Sequence, residues 1–433
     1  MCSRQRIYGY HFNRKPANMK NLLLPYFLLS GIFLSAQIDN SPVNYYDADT
    51  DFKVGIDGYY DVNSTALTTE YTKAFARGIK IKDETKERIS RRLQELNLFG
   101  GDVNVGGFFV VSPDSLFGMA GTSWYGGLRH RENFNGVFSE DFFNLDFFGN
   151  SGFKGDTANL SGFEFNLLRY QQLEAGVIFN EGSTGIGFSL LKGQEHQNFE
   201  IPLGAMYTAP NAEFVDLDLL MNVRQTDRNR RSFHYINGIG ASIDFFTNIT
   251  FGTVETPKHR MLLEVRDLGL MRWNSNATRY KIDSTYHFND LLIDNIFTLR
   301  DSVFGSQFSD SSLTIHASAI KTVYTTILPA ILHVAEIFTI NEGFQLMGGI
   351  KYRLMANYNL YYYVCGSYRI NPYFEITLRT SYGGYGGLNS GMALKTYIKE
   401  QYTITLGSEN LEGFLIPSFT GGNSAFLSIQ RRF

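Results

Sequence analysis

The 433-residue sequence contains only two cysteines, and one of them, Cys2, falls in an N-terminal stretch read below as upstream of the mature chain. One remaining thiol, Cys365, allows no disulfide framework and no thiolate metal cluster in an exported protein. No charge of one sign dominates either: 39 Lys+Arg stand against 42 Asp+Glu, a net charge of −3. That balance leaves no basic excess to hold a phosphate backbone, so nucleic acid is excluded as a partner. Past the N-terminus there is no run of about 20 apolar residues, which rules out a helical membrane protein. No period of 20–50 residues recurs, so a solenoid or propeller is also excluded.

Aromatic residues and glycine are abundant, with 37 Phe, 26 Tyr and 42 Gly beside only 10 Pro. The chain is 43% hydrophobic and 15% aromatic, which does not fit disorder. Its mean hydropathy is nevertheless −0.16, close to that of a soluble protein. A transmembrane β-barrel reconciles these figures, because strands that alternate lipid-facing and inward residues average to neutral.

Residues 19–36 have the form of a signal peptide: Lys20 supplies the positive start, Leu22 to Leu34 the apolar core, and Ser35-Ala36 the small residues before a cut at Gln37. Met19 is the natural start, which makes 1–18 the product of an upstream start site. The mature chain, 37–433, is then 433 − 36 = 397 residues and reads as one domain. It carries insertions at 77–100 and 272–322.

Period-2 alternation pervades that domain. Phe344, Leu346, Ile350, Tyr352 and Leu354 share a face opposite Gln345, Lys351 and Arg353. Phe374, Ile376 and Leu378 oppose Glu375, Thr377 and Arg379, and Val215, Leu217, Leu219, Met221 and Val223 oppose Asp216, Asp218 and Arg224. Val103, Val105, Phe109 and Val111 oppose Asp102 and Asn104. Turn residues such as Asn180, Gly182 and Asn371-Pro372 separate the strands. Many strands reach ten residues or more, the length of a tilted membrane crossing of about 9–11 residues. These features predict an all-β fold, a transmembrane antiparallel barrel of about 14 strands (range 12–16) with helical loop or plug insertions. Residues 83–97 are expected to form a helix with Asp83 as N-cap, Ile89, Leu93 and Leu96 on one stripe, and i,i+4 pairs Glu84–Arg88 and Glu87–Arg91. Residues 272–322 are expected to form a second helical insertion carrying Leu292, Ile293, Ile296, Phe297, Val303 and Phe304.

If the apolar faces meet lipid, the lumen-facing candidates are Glu174, Asp216, Asp218, Arg224, Glu264, Arg266, Lys351, Arg353, Arg369, Glu375 and Arg379. Their mixed signs fit either a water-lined interior or paired networks bracing a closed barrel. Cys365 shares that inward face with Tyr361 and Tyr363 and reads as inert packing. The terminal strand closes on Phe433, the kind of aromatic end that serves as a barrel-assembly signal. HExxH and GxSxG motifs, phosphate-loop spacings and paired metal ligands are all missing, so no catalytic residue, metal or cofactor is expected and the chain does not read as an enzyme.

The segments FFNLDFFGNSGF (142–153), LSGFEFNLLRYQQLEAGV (160–177), LLEVRDLGLMRWN (262–274) and LPAILHVAEIF (328–338) resemble those of an uncharacterised family of Bacteroidota outer-membrane β-barrels. That family is grouped with the long-chain fatty-acid transporter barrels and the shuttle barrel of the type IX secretion system. The resemblance implies export to the outer membrane of a Gram-negative bacterium and gives no functional residues. The expected activity is passive transport or capture of a small hydrophobic solute, through a lumen gated by 83–97 or 272–322. The alternative is a structural barrel that docks secretion or periplasmic partners. Expected partners are outer-membrane lipids and lipopolysaccharide, the barrel assembly machinery and a small hydrophobic ligand.

Overall fold

Alternating side chains become a closed wall. A computed structural model describes residues 51–113, 118–180, 182–251, 259–289, 320–341, 343–354, 357–399 and 401–433. The signal-peptide and start-site expectations therefore lie outside the described residues. The N-terminal half contributes β1 (Phe52–Ser64), β2 (Leu96–Val111), β3 (Ser123–Ser139), β4 (Asp156–Asn159), β5 (Phe163–Phe179), β6 (Thr184–Thr208), β7 (Phe214–Gln225) and β8 (Gly238–Phe251). There follow β9 (His259–Trp273), β10 (Thr278–Asn289), β11 (Ile320–Lys321), β12 (Tyr324–Ile327) and β13 (Ile331–Asn341). A meander completes the chain: β14 (Phe344–Arg353), β15 (Asn359–Asn371), β16 (Phe374–Gly384), β17 (Leu388–Ile398), β18 (Tyr402–Ser408) and β19 (Asn423–Arg432).

The wall is a closed antiparallel barrel of 14 strands, as expected. Its ring order is β1-β2-β3-β5-β6-β8-β9-β13-β14-β15-β16-β17-β18-β19, and β19 closes on β1 with Tyr59 opposite Phe426. Closure leaves no unpaired strand edge in the wall, the condition for crossing lipid. The outward face is apolar and bare: Ile56, Val105, Leu128, Leu173, Phe188 and Val364 are all exposed, while their chain neighbours Asp57, Arg129, Gln172 and Ser189 are buried. Exposure of apolar side chains over burial of charged ones is stable against hydrocarbon, not water. Among the described residues no helix is long and apolar enough to cross a membrane.

The two ends of the barrel differ. At one end the strands return through tight links, two residues between Asn371 and Phe374 and a turn with Asn180 and Gly182 at positive φ. The last strand also ends there, where the Phe433 N–H donates to the Phe52 carbonyl at 2.9 Å. At the opposite end the chain makes its long excursions. The β1–β2 link holds α1 (Thr69–Ala76) and α2 (Asp83–Ser90), the β3–β4 link holds α3 (Glu140–Phe148), and the β18–β19 link holds the single turn α4 (Glu412–Leu415).

Two of the expectations change here. The helix foreseen over 83–97 stops at Ser90, because Leu96 and Asn97 are taken into β2 opposite Ser139 and Phe138. Lys82 is its N-cap and Asp83 its first residue. Glu87–Arg91 forms as expected at 3.2 Å, whereas Arg88 turns to Glu70 on α1 at 3.0 Å. The helical insertion foreseen over 272–322 is strand over 278–289, where β10 pairs with β7 along its full length. Its helical stripe, Leu292 to Phe304, lies outside the described residues.

That pairing builds a blade beyond the barrel. Strand β6 has 25 residues, more than twice a membrane crossing. Its first part pairs with β8 and its remainder with β7, while β10 carries on past β9 to pair with β7. One face of the blade buries Met206, Val215 and Leu217 with Leu145 of α3 and Ala158 of β4.

Candidate functional site

The pleat sends every second residue of each ring strand inward, and the inward set joins an apolar cluster around Phe108, Tyr125, Phe246 and Tyr363 to a charged one. Strand β3 places Arg129 between Asp57 of β1, at 2.7 Å, and Glu174 of β5, at 3.2 Å. Higher on the same strand, Arg131 reaches across to Asp267 of β9. Asp267 adopts a left-handed backbone (φ 56°) in mid-strand, which aims its N–H at Asp244 (2.7 Å) and its carboxylate at Gln172 (3.1 Å). Strand β9 also supplies Glu264, which binds His333 of β13 at 2.9 Å, and His333 binds the Tyr363 hydroxyl at 2.7 Å. Arg266 lies 3.5 Å from Glu264.

The next layer closes the lumen. Arg353 of β14 meets Asp102 of β2 at 2.5 Å, although these strands are seven steps apart around the ring in either direction. A direct ion pair between opposite walls bridges the lumen at that height. Beside it, Arg379 of β16 gives Nη1 to Glu409 at 2.5 Å and Nη2 to the Tyr361 hydroxyl at 2.9 Å. Asn410 donates to Asp61 at 2.9 Å, and Asn63 donates to it at 2.7 Å. Tyr385 folds inward over Gly100, where a Cβ would lie 2.5 Å from its ring. Except for Gly100, these residues line a cavity of about 80 Å3.

Glu409 and Asn410 belong to the β18–β19 loop, which is therefore latched into the lumen at its root. Its tip is held by cations of α1, α2 and the residues after α2: Lys73 donates to the Gly413 carbonyl, Arg88 to that of Ser418 and Arg92 to that of Phe419. The Thr69 hydroxyl donates to the Gly422 carbonyl at 2.8 Å. Burial raises the Glu70 carboxyl, but hydrogen bonds from Ser418 and Arg88 and the Arg88 charge outweigh it and bring the group below the usual range. The backbone is secured while the apolar side chains stay largely exposed, with Lys73 over the Phe414 ring and Arg88 over that of Phe419. Phe414, Leu415, Ile416 and Phe419, with Phe75 and Ile79 from α1 and the link after it, are between 51% and 78% exposed. An apolar patch of this kind on a soluble end marks a contact surface.

The expected lumen set divides. Glu174, Glu264, Arg266, Lys351, Arg353 and Arg379 come together inside the ring and are buried or nearly so. Glu375 and Arg369 sit at the tight-turn end, 4.0 Å apart, with Glu375 also held by Ser367 and Tyr397. Asp216, Asp218 and Arg224 belong to β7 of the blade, outside the ring; Asp216 binds His287 and Asp218 binds Thr285. Sequence reasoning missed Asp57, Arg129, Arg131, Asp244, Asp267, His333 and Glu409. Asp57, Asp244 and His333 carried a usable signal, since each follows an apolar residue of a long strand, Ile56, Ile243 and Leu332. Glu409 follows the end of β18 and carried none. Among the described residues no three His, Cys, Asp or Glu side chains cluster to hold a metal.

Residues 46–405 match a family described as a family of unknown function, DUF5723, and the chain belongs to it. No curated protein matches. Among solved structures, the toluene transporter TodX of Pseudomonas putida is 10% identical over 92% of this chain and 93% of its own, with a TM-score of 0.43. A FadL homologue of Pseudomonas aeruginosa is 10% identical over 91% and 93%, also at 0.43. The translocator domain of the autotransporter NalP from Neisseria meningitidis is 9% identical over 96% and 95%, at 0.34. At such identities and scores, nothing about solute or mechanism is drawn from these likenesses.

Proposed function

We propose that the protein is an outer-membrane barrel that captures a small hydrophobic solute at its capped end and keeps its lumen shut until capture releases the latch. The observation that carries this reading is that one loop does both jobs. Residues 414–419 present exposed apolar side chains, and Glu409 and Asn410 at the root of the same loop bind Arg379 and Asp61 inside the lumen, beside the Arg353–Asp102 tie. A ligand seated on the patch pulls on the segment that holds the latch. Orientation follows from the ends: tight turns face the periplasm in such barrels and long connections face outward. The signal-peptide reading of 19–36 agrees with that placement.

The test is planar-bilayer conductance of the folded protein, together with uptake of a hydrophobic fluorophore into proteoliposomes. Wild type is expected to be closed at rest, and Glu409→Gln, which weakens the hold on Arg379, is expected to conduct and to speed uptake. A folded E409Q protein that neither conducts nor takes up the fluorophore would sink the gated-transport reading. A second reading, a docking barrel that transports nothing, is favoured by the Arg353–Asp102 tie between opposite walls. It keeps the same apolar patch and gives it to a protein partner.

A further inference from the structure

Two buried guanidinium N–H groups at the cavity beneath the latch have no acceptor among the protein's own atoms. Arg353 and Arg379 reach it from β14 and β16. Arg353 commits Nη2 to Asp102, and its Nη1 is buried with no acceptor. Arg379 commits both terminal nitrogens, and its Nε is likewise buried with no acceptor. A buried cationic N–H without an acceptor is rare in a folded protein and marks a missing partner. The other cations of the lining are engaged: Lys351 lies over the Tyr363 ring, and Arg131 and Arg266 are tied to Asp267 and Glu264. The three carboxylates on the wall do not fill the gap. Asp61 is held by Asn63 and Asn410, Asp102 by Arg353 and Asn133, and Glu409 by Arg379.

We propose that this cavity is a binding site for a small oxyanion, the carboxylate or phosphate group of a compact ligand. Two acceptor oxygens on one planar or tetrahedral centre satisfy the two idle guanidinium donors together, the pairing for which arginine geometry is suited. The space of about 80 Å3 sets the size. It holds a group of a few heavy atoms and not a sugar ring or an acyl chain, since a benzene needs a cavity of about 150 Å3. Tyr361 and Tyr385, whose rings line the same space, exclude bulk water from the anion and strengthen its attraction to the guanidinium groups. The site lies against the Glu409–Arg379 contact, so its occupant also bears on the latch, yet its existence does not depend on transport.

The test uses the full folded protein in detergent. Inorganic phosphate, sulfate and acetate are titrated calorimetrically at constant ionic strength, with chloride as the balancing ion. Crystals soaked in selenate are examined for anomalous scattering. Saturable binding of at least one anion is expected, with a selenate peak between Arg353 and Arg379. Arg353→Gln is expected to weaken binding by about ten-fold or more, while Arg91→Gln on the exposed face of α2 leaves it unchanged. Circular dichroism and heat-dependent gel mobility establish whether R353Q is folded; if it is not, the selenate position in the wild type decides. Water alone between the two arginines, with no saturable binding of any of the three anions, overturns the proposal. So does binding that R353Q, folded, retains in full.

Discussion

Individual side chains in the lumen are held by reciprocity, so removing one partner costs more than removing a set. Arg129 is 3% exposed and holds both Asp57 and Glu174. Replacing it with methionine strands two carboxylates in a dry interior, for which the loss is about 3–5 kcal/mol. Arg129→Met is therefore expected to unfold at markedly lower temperature or denaturant. Adding Asp57→Leu and Glu174→Leu to R129M is expected to recover much of the loss, because apolar groups of similar volume leave no charge uncompensated. Equal stability of the single and triple variants would show that these charges are reached by water. Glycine has a similar local meaning at two neighbouring positions. The Tyr125 side chain lies across Gly176 and Gly187, where a Cβ would come within 2.4 Å of its ring and 2.3 Å of its hydroxyl oxygen, so a larger residue at either site must displace a buried tyrosine.

Elements outside the membrane owe their stability to contacts that titrate. On the blade, the Asp216 hydrogen bond raises the His287 imidazole above its ordinary value. The contribution of this pair is fully present below the unfolded histidine pKa of about 6.5 and is lost as pH rises through the higher folded value. Asp216→Asn is expected to move the His287 titration, followed by its ring-proton NMR signals, back toward the unperturbed value. On the cap the sign reverses. The lowered Glu70 carboxyl stabilises the α1–α2 segment above its unfolded pKa of about 4.3, and that support disappears as pH falls through the folded value. Hydrogen exchange over 69–92 is expected to accelerate on acidification, and Glu70→Gln to remove most of the difference. Helix α1 also keeps contacts that do not titrate, among them the Thr68 side chain accepting from the Tyr71 N–H at 3.3 Å and the Thr69 hydroxyl on the Gly422 carbonyl.

The whole molecule is sorted by its solvent. A charge on the lipid face of the wall is costly, and the same charge on the blade is not. Val364→Arg, on the exposed outer face of β15, is expected to cost about 2–4 kcal/mol when the protein is folded in bilayers. Ser284→Arg on β10 is expected to stay within about 0.5 kcal/mol. Equal costs would mean that the bilayer does not surround the ring. Phe433 belongs to this scale too. Its ring stands 5.5 Å from that of Phe52, with the Arg431 guanidinium 4.2 Å above it, at the seam where the barrel closes. Phe433→Ala is expected to lower the yield of assembled protein in outer-membrane fractions more than it lowers the stability of protein already folded.

Alternation of apolar and polar residues, with turn residues between the strands, determined that this chain is an antiparallel barrel of about 14 strands and that charged side chains such as Glu174, Glu264, Arg353 and Arg379 point inward. Those properties depend on neighbours in sequence, and a period of two records them without reference to anything distant. The fate of β7 and β10 was decided only by tertiary structure. Val215 to Val223 alternate as cleanly as any wall strand, because burying one face against α3 and β4 imposes the same pattern as burying it against lipid. Alternation identifies a covered face and is silent on what covers it, so Asp216, Asp218 and Arg224 read as lumen residues and belong to the blade. The closing contacts follow the same rule. Arg353 meets Asp102 from the opposite wall, and Glu409 reaches Arg379 from a loop. Both pairings are set by ring closure and strand stagger, which bring together residues that no local pattern links.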